Sequence, residues 1–437
     1  MAREYVGRDA TMNIALAVYG TRGDVEPVLA IGRELVRRGH SVRAAVPPDL
    51  VDLAESAGLV AVAYGPDSQL MLSKEAGANL FGESTYRFWQ INKIAQIFRD
   101  SWEDASQIRR ELSKALVLLT EGADLMLHGQ VFEDLADNVA EYFGIPMVTL
   151  HHIPLRPNNV FPWFLPAPWG RAAMATFWWV TSRVAGNAEK RERQQLGLPK
   201  DSRAATRRIT ERGSLEIQAY DEMCYPGLAA EWASSAEQRP FVGTLTLEQS
   251  ADTDEDVAAW IAAGTPPIGF NFGSMALKSP ADTIAVISQA CTQLGERALV
   301  CAGSSGFSTG SQDAENIKLV DKMNHSKIFP ACRAVVHHGG AGTMAAVLRA
   351  GVPHLVLWSA PERFANGIVV TRLKVGISRR FSGGLTAAIL TNELRQVLAP
   401  YYRSRAREVA ALMKAPADGV RAAADHIESF ANLRTVN

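Results

Sequence analysis

Cysteine is scarce in this chain of 437 residues, which contains only four, and no two of them have the spacing of a CxxC pair. Closely spaced pairs are typical of zinc sites, and cysteine-dense sequences are typical of secreted proteins that disulfides hold together. The four cysteines therefore predict free thiols in a reducing, cytoplasmic compartment, with no metal site built from them.

An excess of charge of either sign is also missing. The chain has 45 Lys and Arg residues against 46 Asp and Glu residues, for a formal net charge of −1. Domains that bind nucleic acid usually carry a clear basic excess, because they must neutralise phosphates. The balance of charge therefore predicts that nucleic acid is not a partner.

Long hydrophobic runs are lacking too. A membrane-spanning helix needs about 20 apolar residues, and the nearest candidate, residues 172–180, is short and bounded by Arg171 and Arg183. The first eleven residues are polar and charged, so they do not resemble a signal peptide. We interpret residues 1–11 as a short extension that precedes the folded part.

Apolar residues make up 47% of the sequence, enough for packed cores, and the length favours two domains. Apolar runs of strand length alternate with helical patterns over residues 12–152, and the alternation returns from residue 257 onward. This alternation is typical of doubly wound α/β domains. The predicted divisions are a first domain at 12–244, a linker at 245–256, a second domain at 257–415 and a final helix at 416–437.

One stretch of the second domain has the clearest chemical pattern. The apolar run 334–336 is followed by the letters HHGGAGT at 337–343, and a helical pattern starts directly afterwards. Glycines let backbone approach a ligand closely, and a helix N-terminus presents unpaired N–H groups that suit a phosphate. The alternative is a glycine turn that only packs the helix on the sheet.

HHGGAGT, preceded by Ile328-Phe329-Pro330, resembles the motif of the nucleotide-sugar glycosyltransferases of the GT-B fold. These include UDP-glucuronosyltransferases, sterol glucosyltransferases and vancomycin-type glycosyltransferases. A second stretch at 20–27, GTRGDVEP, matches the same superfamily, and residues 373–381 resemble the mycobacterial glycopeptidolipid glycosyltransferases. The resemblance implies two Rossmann-like α/β domains facing across a cleft, with a C-terminal helix that crosses back to the first domain.

The resemblance also implies which residues bind the donor. His337 matches the histidine that contacts the donor diphosphate, and the other matching positions are Gly339, Gly340, Gly342, Thr343, Ser274 and His325. His325 begins the letters HSKI where many relatives have His-Asp-Trp-Leu, which puts the usual contacts to the base in doubt.

A further departure lies about twenty residues beyond HHGGAGT. Relatives carry an acid–glutamine pair there that holds the donor sugar, whereas this chain has Glu362 and Arg363. A guanidinium has only hydrogen-bond donors, so it cannot copy a glutamine. The substitution predicts an unusual sugar such as a deoxyhexose, unless Glu362 and Arg363 simply pair with each other.

Asp24 follows the glycine turn at the end of the first strand. From the residues alone, the simplest interpretation is an N-cap of the next helix. The resemblance implies instead that Asp24 is the general base that deprotonates the acceptor. His128, His151 and His152 follow other strands of the same domain and are alternative bases, and His128 and His152 are also candidate acceptor contacts.

An aromatic, proline-rich stretch at 161–179 includes Trp163 and Trp169. In the resembled family this region shapes the acceptor pocket, so both tryptophans are predicted acceptor contacts. The alternative is an aromatic plug packed on the domain core.

Together these features predict an inverting glycosyltransferase. The donor would be a UDP- or dTDP-sugar, and the acceptor a hydroxyl of a hydrophobic glycolipid, lipopeptide or natural product, with possible peripheral contact at the inner membrane face. Neither a cofactor nor a metal ion is expected. The alternatives are a non-catalytic partner that activates a glycosyltransferase and a nucleotide-sugar epimerase of the same fold; an NAD enzyme is disfavoured because neither first turn reads GxGxxG.

Overall fold

A computed structural model describes residues 11–68, 107–161, 169–247, 254–273, 279–303, 316–359, 361–381 and 385–435. Two predicted site residues, Trp163 and Ser274, lie outside these ranges, as does the side chain of Glu362. The chain divides into two compact units. The first contains the described residues up to Leu247 and those from Ala415 onward, and the second contains those from Asp254 to Lys414.

The first unit is built on a six-stranded parallel sheet with the strand order β3-β2-β1-β4-β5-β6. Its strands are β1 Asn13–Ala17, β2 Ser41–Val46, β3 Val60–Ala63, β4 Leu125–Gly129, β5 Met147–His151 and β6 Leu215–Gln218. Its helices are α1 Arg22–Arg37, α2 Val51–Ser56, α3 at 107–120, α4 Glu133–Phe143, α5 Trp169–Gln195, α6 Ala205–Glu211, α7 Leu228–Glu231 and, from the end of the chain, α15 Pro416–Thr435.

The second unit repeats this architecture with the order β12-β11-β10-β7-β8-β9, again all parallel. Its strands are β7 Ile268–Asn271, β8 Ala298–Cys301, β9 Ile317–Val320, β10 Ala334–His337, β11 His354–Trp358 and β12 Gly376–Arg380. Its helices are α8 Asp254–Ala262, α9 Pro280–Leu294, α10 His325–Ile328, α11 Ala341–Ala350, α12 Pro361–Arg372, α13 Ala387–Val397 and α14 Pro400–Ala410. The predicted pair of doubly wound α/β units is therefore confirmed.

Each sheet is covered on both faces, which explains why its strands are continuous apolar runs. In β1, Ile14 and Leu16 point into one buried cluster, whereas Ala15 and Ala17 point into another. In β10, Val336 and Val335 divide in the same way between two clusters of the second unit. Because side chains alternate between the two faces of a strand, each sheet contributes residues to two hydrophobic cores.

The boundary between the units differs from the predicted linker at 245–256. Leu245 and Leu247 are buried in the core of the first unit, and Asp254 already begins α8, where its carboxylate accepts the N–H of Asn324. Both ends of the predicted linker, residues 245–247 and 254–256, therefore belong to the folded units. A polar, acidic composition cannot reveal that the flanking leucines pack into a core.

Two long helices complete the first unit. The segment that includes Trp169 and the charged segment near Glu189 belong to a single helix of 27 residues, α5. At the end of the chain, α15 packs against α1 within the first unit, and Arg38 pairs there with Asp425 at 2.6 Å and with Glu428 at 2.8 Å.

Candidate functional site

The HHGGAGT turn lies at the carboxyl end of the second sheet. Strand β10 ends at His337, Gly340 forms the N-cap of α11, and the helix begins at Ala341. The first N–H groups of a helix have no partner within it, so the turn presents donors and a positive dipole end. Gly342 is exposed and Thr343 is partly exposed at this end, where open α/β sheets bind their ligands.

His337, the predicted diphosphate contact, is enclosed in the protein. Its side chain is fully buried, Nε2 lies 3.1 Å from Nδ1 of His354, and Nδ1 accepts the N–H of Gly339 at 3.2 Å. Burial, together with His354, holds its pKa well below the ordinary value, so the ring is neutral. Both ring nitrogens make contacts inside the protein, which disfavours the predicted contact of His337 with the diphosphate.

The neighbouring residue, His338, faces the turn instead. A Cβ atom placed on Gly340 would lie 2.5 Å from its Nε2, and one placed on Gly273 would lie 2.6 Å from its Cε1. The side chain is 7% exposed. Burial, assisted by the charge of Arg363, lowers its pKa to about 3. His338 is therefore the better candidate for a ligand contact, one position after the histidine that the motif match indicates.

Asn271, the last residue of β7, connects three parts of this edge. Its Oδ1 accepts the N–H of Gly273 at 2.9 Å, its Nδ2 donates to Nε2 of His325 at 2.7 Å, and its carbonyl accepts the N–H of His338 at 3.3 Å. The ring of His325 also stacks on Phe329 at 4.6 Å. His325 is thus held against the site by Asn271, and its contact with the donor remains a prediction.

A second asparagine braces the turn from the other side. Asn366 of α12 is buried and donates from Nδ2 to the carbonyl of Gly339 at 2.8 Å. Gly339 has φ +91°, and a Cβ there would lie 2.9 Å from the carbonyl oxygen of Arg363, so this position requires glycine. The N–H of Gly339 donates to Nδ1 of His337, so the role of Gly339 is to form the turn. Asn366 lies four residues after Glu362 in the sequence, but no motif of the resembled family marks it as a site residue.

In the first unit, Asp24 is not the N-cap of α1. Thr21 holds that position and Asp24 is the third helical residue. The Asp24 Oδ2 atom accepts the backbone N–H of Thr21 at 2.9 Å and its hydroxyl at 3.2 Å, which is a capping-box arrangement. No hydrogen bond to Oδ1 occurs among the described residues, so one carboxylate oxygen is available for other chemistry.

His152 lies beside Asp24. Burial lowers the pKa of His152, whereas the carboxylate and a backbone group of Asp24 act in the opposite direction. Its backbone N–H donates to Oε1 of Gln130 at 3.0 Å. The side chain is partly exposed, but Nε2 is buried and has no hydrogen-bond partner in the described part of the chain. The structure therefore brings an aspartate and an unpartnered imidazole nitrogen together at this edge.

The other two histidines of the first unit are enclosed. His128 is fully buried, with Nδ1 2.7 Å from the carbonyl of Gly129 and Nε2 3.5 Å from the hydroxyl of Tyr64. His151 is also fully buried, and its Nε2 lies 3.2 Å from Glu133. Because neither ring reaches the surface, the predicted acceptor contact of His128 and the alternative role of His151 as a base are disfavoured.

The tryptophans of α5 are not a core plug where the structure describes them. Trp169 is 68% exposed and Trp179 is 55% exposed, whereas Trp178 is anchored by a hydrogen bond from Nε1 to the carbonyl of Leu155 at 2.7 Å. These exposed rings provide apolar surface for a ligand.

Among the described residues, no group of three or more His, Cys, Asp or Glu side chains is placed to hold a metal ion. Within the same residues, no helix is long and apolar enough to cross a membrane.

Comparison with known families covers both units. Residues 14–122 match the family described as "Glycosyltransferase family 28 N-terminal domain", and residues 308–423 match "Erythromycin biosynthesis protein CIII-like, C-terminal domain". An uncharacterized glycosyltransferase of Mycobacterium leprae is 49% identical, over 96% of this chain and 97% of its own length. A sterol 3-beta-glucosyltransferase of Arabidopsis thaliana is 28% identical, over 95% of this chain and 67% of its own length.

Solved structures resemble the fold at low sequence identity. The glycosyltransferase of kitacinnamycin has a TM-score of 0.69 and 19% identity, covering 96% of this chain and 99% of its own. The spinosyn rhamnosyltransferase complexed with thymidine diphosphate has a TM-score of 0.62 and 17% identity, covering 94% and 99%. Both similarities support the GT-B fold that the sequence predicted.

Proposed function

This chain belongs to the GT-B glycosyltransferases, and from that premise we propose that it transfers a hexosyl or deoxyhexosyl group from a UDP- or dTDP-sugar. The recipient is a hydroxyl of a hydrophobic acceptor, and the reaction inverts the anomeric carbon. The observation that carries the donor half of this proposal is the turn in which His338 faces the N-cap of α11. A relative of the same fold that was solved with thymidine diphosphate supports the choice of a nucleoside diphosphate.

The donor diphosphate lies at the N-terminus of α11 in this proposal. The N–H groups of Ala341, Gly342 and Thr343 offer hydrogen bonds there, and the helix dipole stabilises negative charge. As the bond between the sugar and the diphosphate breaks, charge accumulates on the leaving oxygen, and these fixed donors stabilise it. The helix terminus and His338 take the place of a divalent cation.

The sugar end of the donor is assigned to α12. Arg363 lies at the first turn of this helix, and its Nη1 donates to Oγ of Ser359 at 3.3 Å. The positive charge of Arg363 also contributes to lowering the pKa of His338. A guanidinium offers only donors, so sugar hydroxyls and diphosphate oxygens are the acceptors that it recognises.

The acceptor hydroxyl is deprotonated at the first sheet. Asp24 is the proposed base, because one of its carboxylate oxygens remains available. His152 is the alternative, since its Nε2 lacks a partner and the Asp24 charge favours its protonated form. In either case the hydroxyl proton moves to the base while the oxygen forms the new bond at the anomeric carbon.

The exposed tryptophans of α5 support a hydrophobic acceptor. Rings such as Trp169 and Trp179 combine apolar area with a polar edge, which suits ligands that are partly polar, such as glycolipids. A cytoplasmic protein with peripheral contact at the inner membrane face fits an acceptor of this kind. The sterol glucosyltransferase among the relatives acts on a hydrophobic acceptor by its name.

Ligand-induced thermal stabilisation tests the donor half of the proposal. We expect UDP, dTDP or their glucose conjugates to stabilise the wild-type protein, by about 2.7 kcal/mol at a concentration one hundred times the dissociation constant. His338→Ala should weaken this binding by about 1.5–3 kcal/mol, the value of a hydrogen bond to a charged group.

His40→Ala serves as the matched control, because His40 contacts the backbone N–H of Met12 and Glu428 within the first unit. It should leave nucleotide binding unchanged. If none of the four nucleotides stabilises the wild-type protein, the proposed donor class is wrong.

A further inference from the structure

The orientation of the His338 ring is set by the sheet. In the parallel pairing of β7 with β10, His337 lies opposite Asn271, so the next N–H along β10 reaches the Asn271 carbonyl. The Nδ1 atom of His338 approaches the same carbonyl at 3.4 Å. A carbonyl oxygen can only accept a hydrogen bond, so Nδ1 must carry a hydrogen. This contact selects one tautomer of the neutral ring.

The other nitrogen of the ring faces the turn. Nε2 is the ring atom closest to the Cβ position of Gly340, at 2.5 Å, and Gly340 is the N-cap of α11. In the selected neutral tautomer, Nε2 carries a lone pair rather than a hydrogen. A lone pair repels a phosphate oxygen, whereas a protonated Nε2 donates a charge-assisted hydrogen bond to it. The neutral tautomer therefore binds only weakly the anion that the helix terminus attracts.

We propose that binding of the donor diphosphate takes up one proton from solvent at Nε2 of His338, so that an imidazolium holds the diphosphate. This inference rests on the proposed function, since it takes the ligand of the turn to be a nucleoside diphosphate. It assigns His338 a protonation state in the complex that differs from its state in the free protein.

The groups around His338 explain why the proton is absent before the ligand binds. Burial is the largest influence, and it lowers the pKa to about 3. Arg363 from α12 and His325 from α10 lower it further, and only the Asn271 carbonyl on β7 acts in the opposite direction. His337 on β10 is itself neutral. No carboxylate appears among the described groups that influence this pKa, whereas a bound diphosphate brings negative charge with it.

The sign of the pH dependence follows from linkage. The bound diphosphate raises the pKa of His338, because a nearby anion favours the charged ring. Between the pKa of the free protein and that of the complex, binding takes up one proton, and the dissociation constant rises tenfold for each pH unit. Above the pKa of the complex this dependence ends, with the donor bound only weakly.

Isothermal titration calorimetry with UDP-glucose and dTDP-glucose measures the proton directly. In these conjugates the diphosphate is a diester, so it does not titrate near neutral pH, unlike the terminal phosphate of free UDP or dTDP. Titrations at about pH 6 in several buffers of different ionisation enthalpy give the number of protons taken up. We expect up to one proton for the wild-type protein, with affinity falling as the pH rises.

His338→Gln is the decisive variant, because its amide can donate to a phosphate but does not titrate. It should bind the same conjugate without proton uptake. His40→Gln, the control, should keep the uptake of the wild-type protein.

Binding by the wild-type protein without proton uptake overturns the inference and leaves the proposed function standing, even if His338→Gln does not fold. Uptake that persists in His338→Gln overturns it too. Failure of the wild-type protein to bind either conjugate overturns the proposed donor, and with it the inference.

Discussion

The two sheets share one strand order but surround the histidines at their carboxyl ends with different charges. In the first unit, His151 contacts Glu133, which in turn pairs with Arg156, and Asp24 lies beside His152. In the second unit, the described contacts of the histidine nitrogens are made by another histidine, an asparagine and backbone groups. Carboxylates accompany His151 and His152 of the first unit and do not occur in the described contacts of the second unit's histidines.

This difference indicates which half of the reaction each unit serves. A site that already contains a carboxylate suits a neutral ligand that must lose a proton, such as an acceptor hydroxyl. A site of neutral histidines at a helix N-terminus attracts an anion and gains its negative charge only when the ligand arrives. The charges near Asp24 and near His338 are thus consistent with the proposed function, in which the first unit handles the acceptor and the second unit handles the donor.

Replacing Asp24 by Asn should have the largest effect on the rate of transfer, and it tests whether acceptor chemistry belongs to the first unit. We expect the rate of transfer at saturating donor to fall by about 10²- to 10⁴-fold, as when a general base is removed. The Asn side-chain oxygen can still accept the N–H of Thr21, so the start of α1 and the donor affinity should be kept. Steady-state kinetics, calorimetry with the donor and thermal unfolding measure the three quantities.

His152→Gln is the companion variant to Asp24→Asn. If Asp24 is the base, His152→Gln should lose less activity than Asp24→Asn and keep the acidic limb of the pH–rate profile. The reverse order of losses would assign the base to His152. Rates close to wild type in both variants would remove this pair from the reaction.

The buried ion pairs of the first unit give the next largest expected effect. Arg156 is 2% exposed, and it binds Glu133 at 2.6 Å and Glu216 at 2.9 Å. Burial alone would raise the pKa of Glu133, but Arg156 and His151 hold it below the ordinary value, so the carboxylate stays charged. Arg156→Ala should therefore destabilise the protein by about 3–5 kcal/mol, because buried charges lose their partner.

Urea unfolding followed by circular dichroism measures the effect of Arg156→Ala. Arg203→Ala is the matched control, since Arg203 pairs with Asp201 and Glu211 at the surface and its loss should change stability little. Equal stability of the Arg156 and Arg203 variants would show that the ion pairs of the first unit do not stabilise its sheet edge.

The fold could be predicted from the sequence because strands buried on both faces leave apolar runs, as in β1 and β10. The chemistry at the sheet edge could be predicted only in outline. His337 and His338 are adjacent and identical in type, and the register of β10 with β7 decides which ring enters the core. Asn271 ends an ordinary strand, and two of its three contacts, with His325 and His338, are made by residues that are distant in sequence.

Replacing Trp169 by Ala has the smallest expected effect, and it tests whether the first unit binds a hydrophobic acceptor. Because the ring is 68% exposed, Trp169→Ala should leave stability within about 0.5 kcal/mol of wild type. Trp232→Ala, at a buried tryptophan stacked on Phe241, is the control and should cost about 3–5 kcal/mol.

The kinetic test of Trp169→Ala uses alkyl glucosides of increasing chain length as acceptors. In the wild-type protein, kcat/KM should rise with chain length, since each buried methylene contributes about 0.8 kcal/mol. Trp169→Ala should flatten this rise by raising the KM of the long-chain acceptors about fivefold, equivalent to about 1 kcal/mol of lost apolar contact. Donor affinity should stay constant, because the donor site belongs to the other unit. Activity with methyl glucoside that exceeds activity with every longer chain would contradict a hydrophobic acceptor.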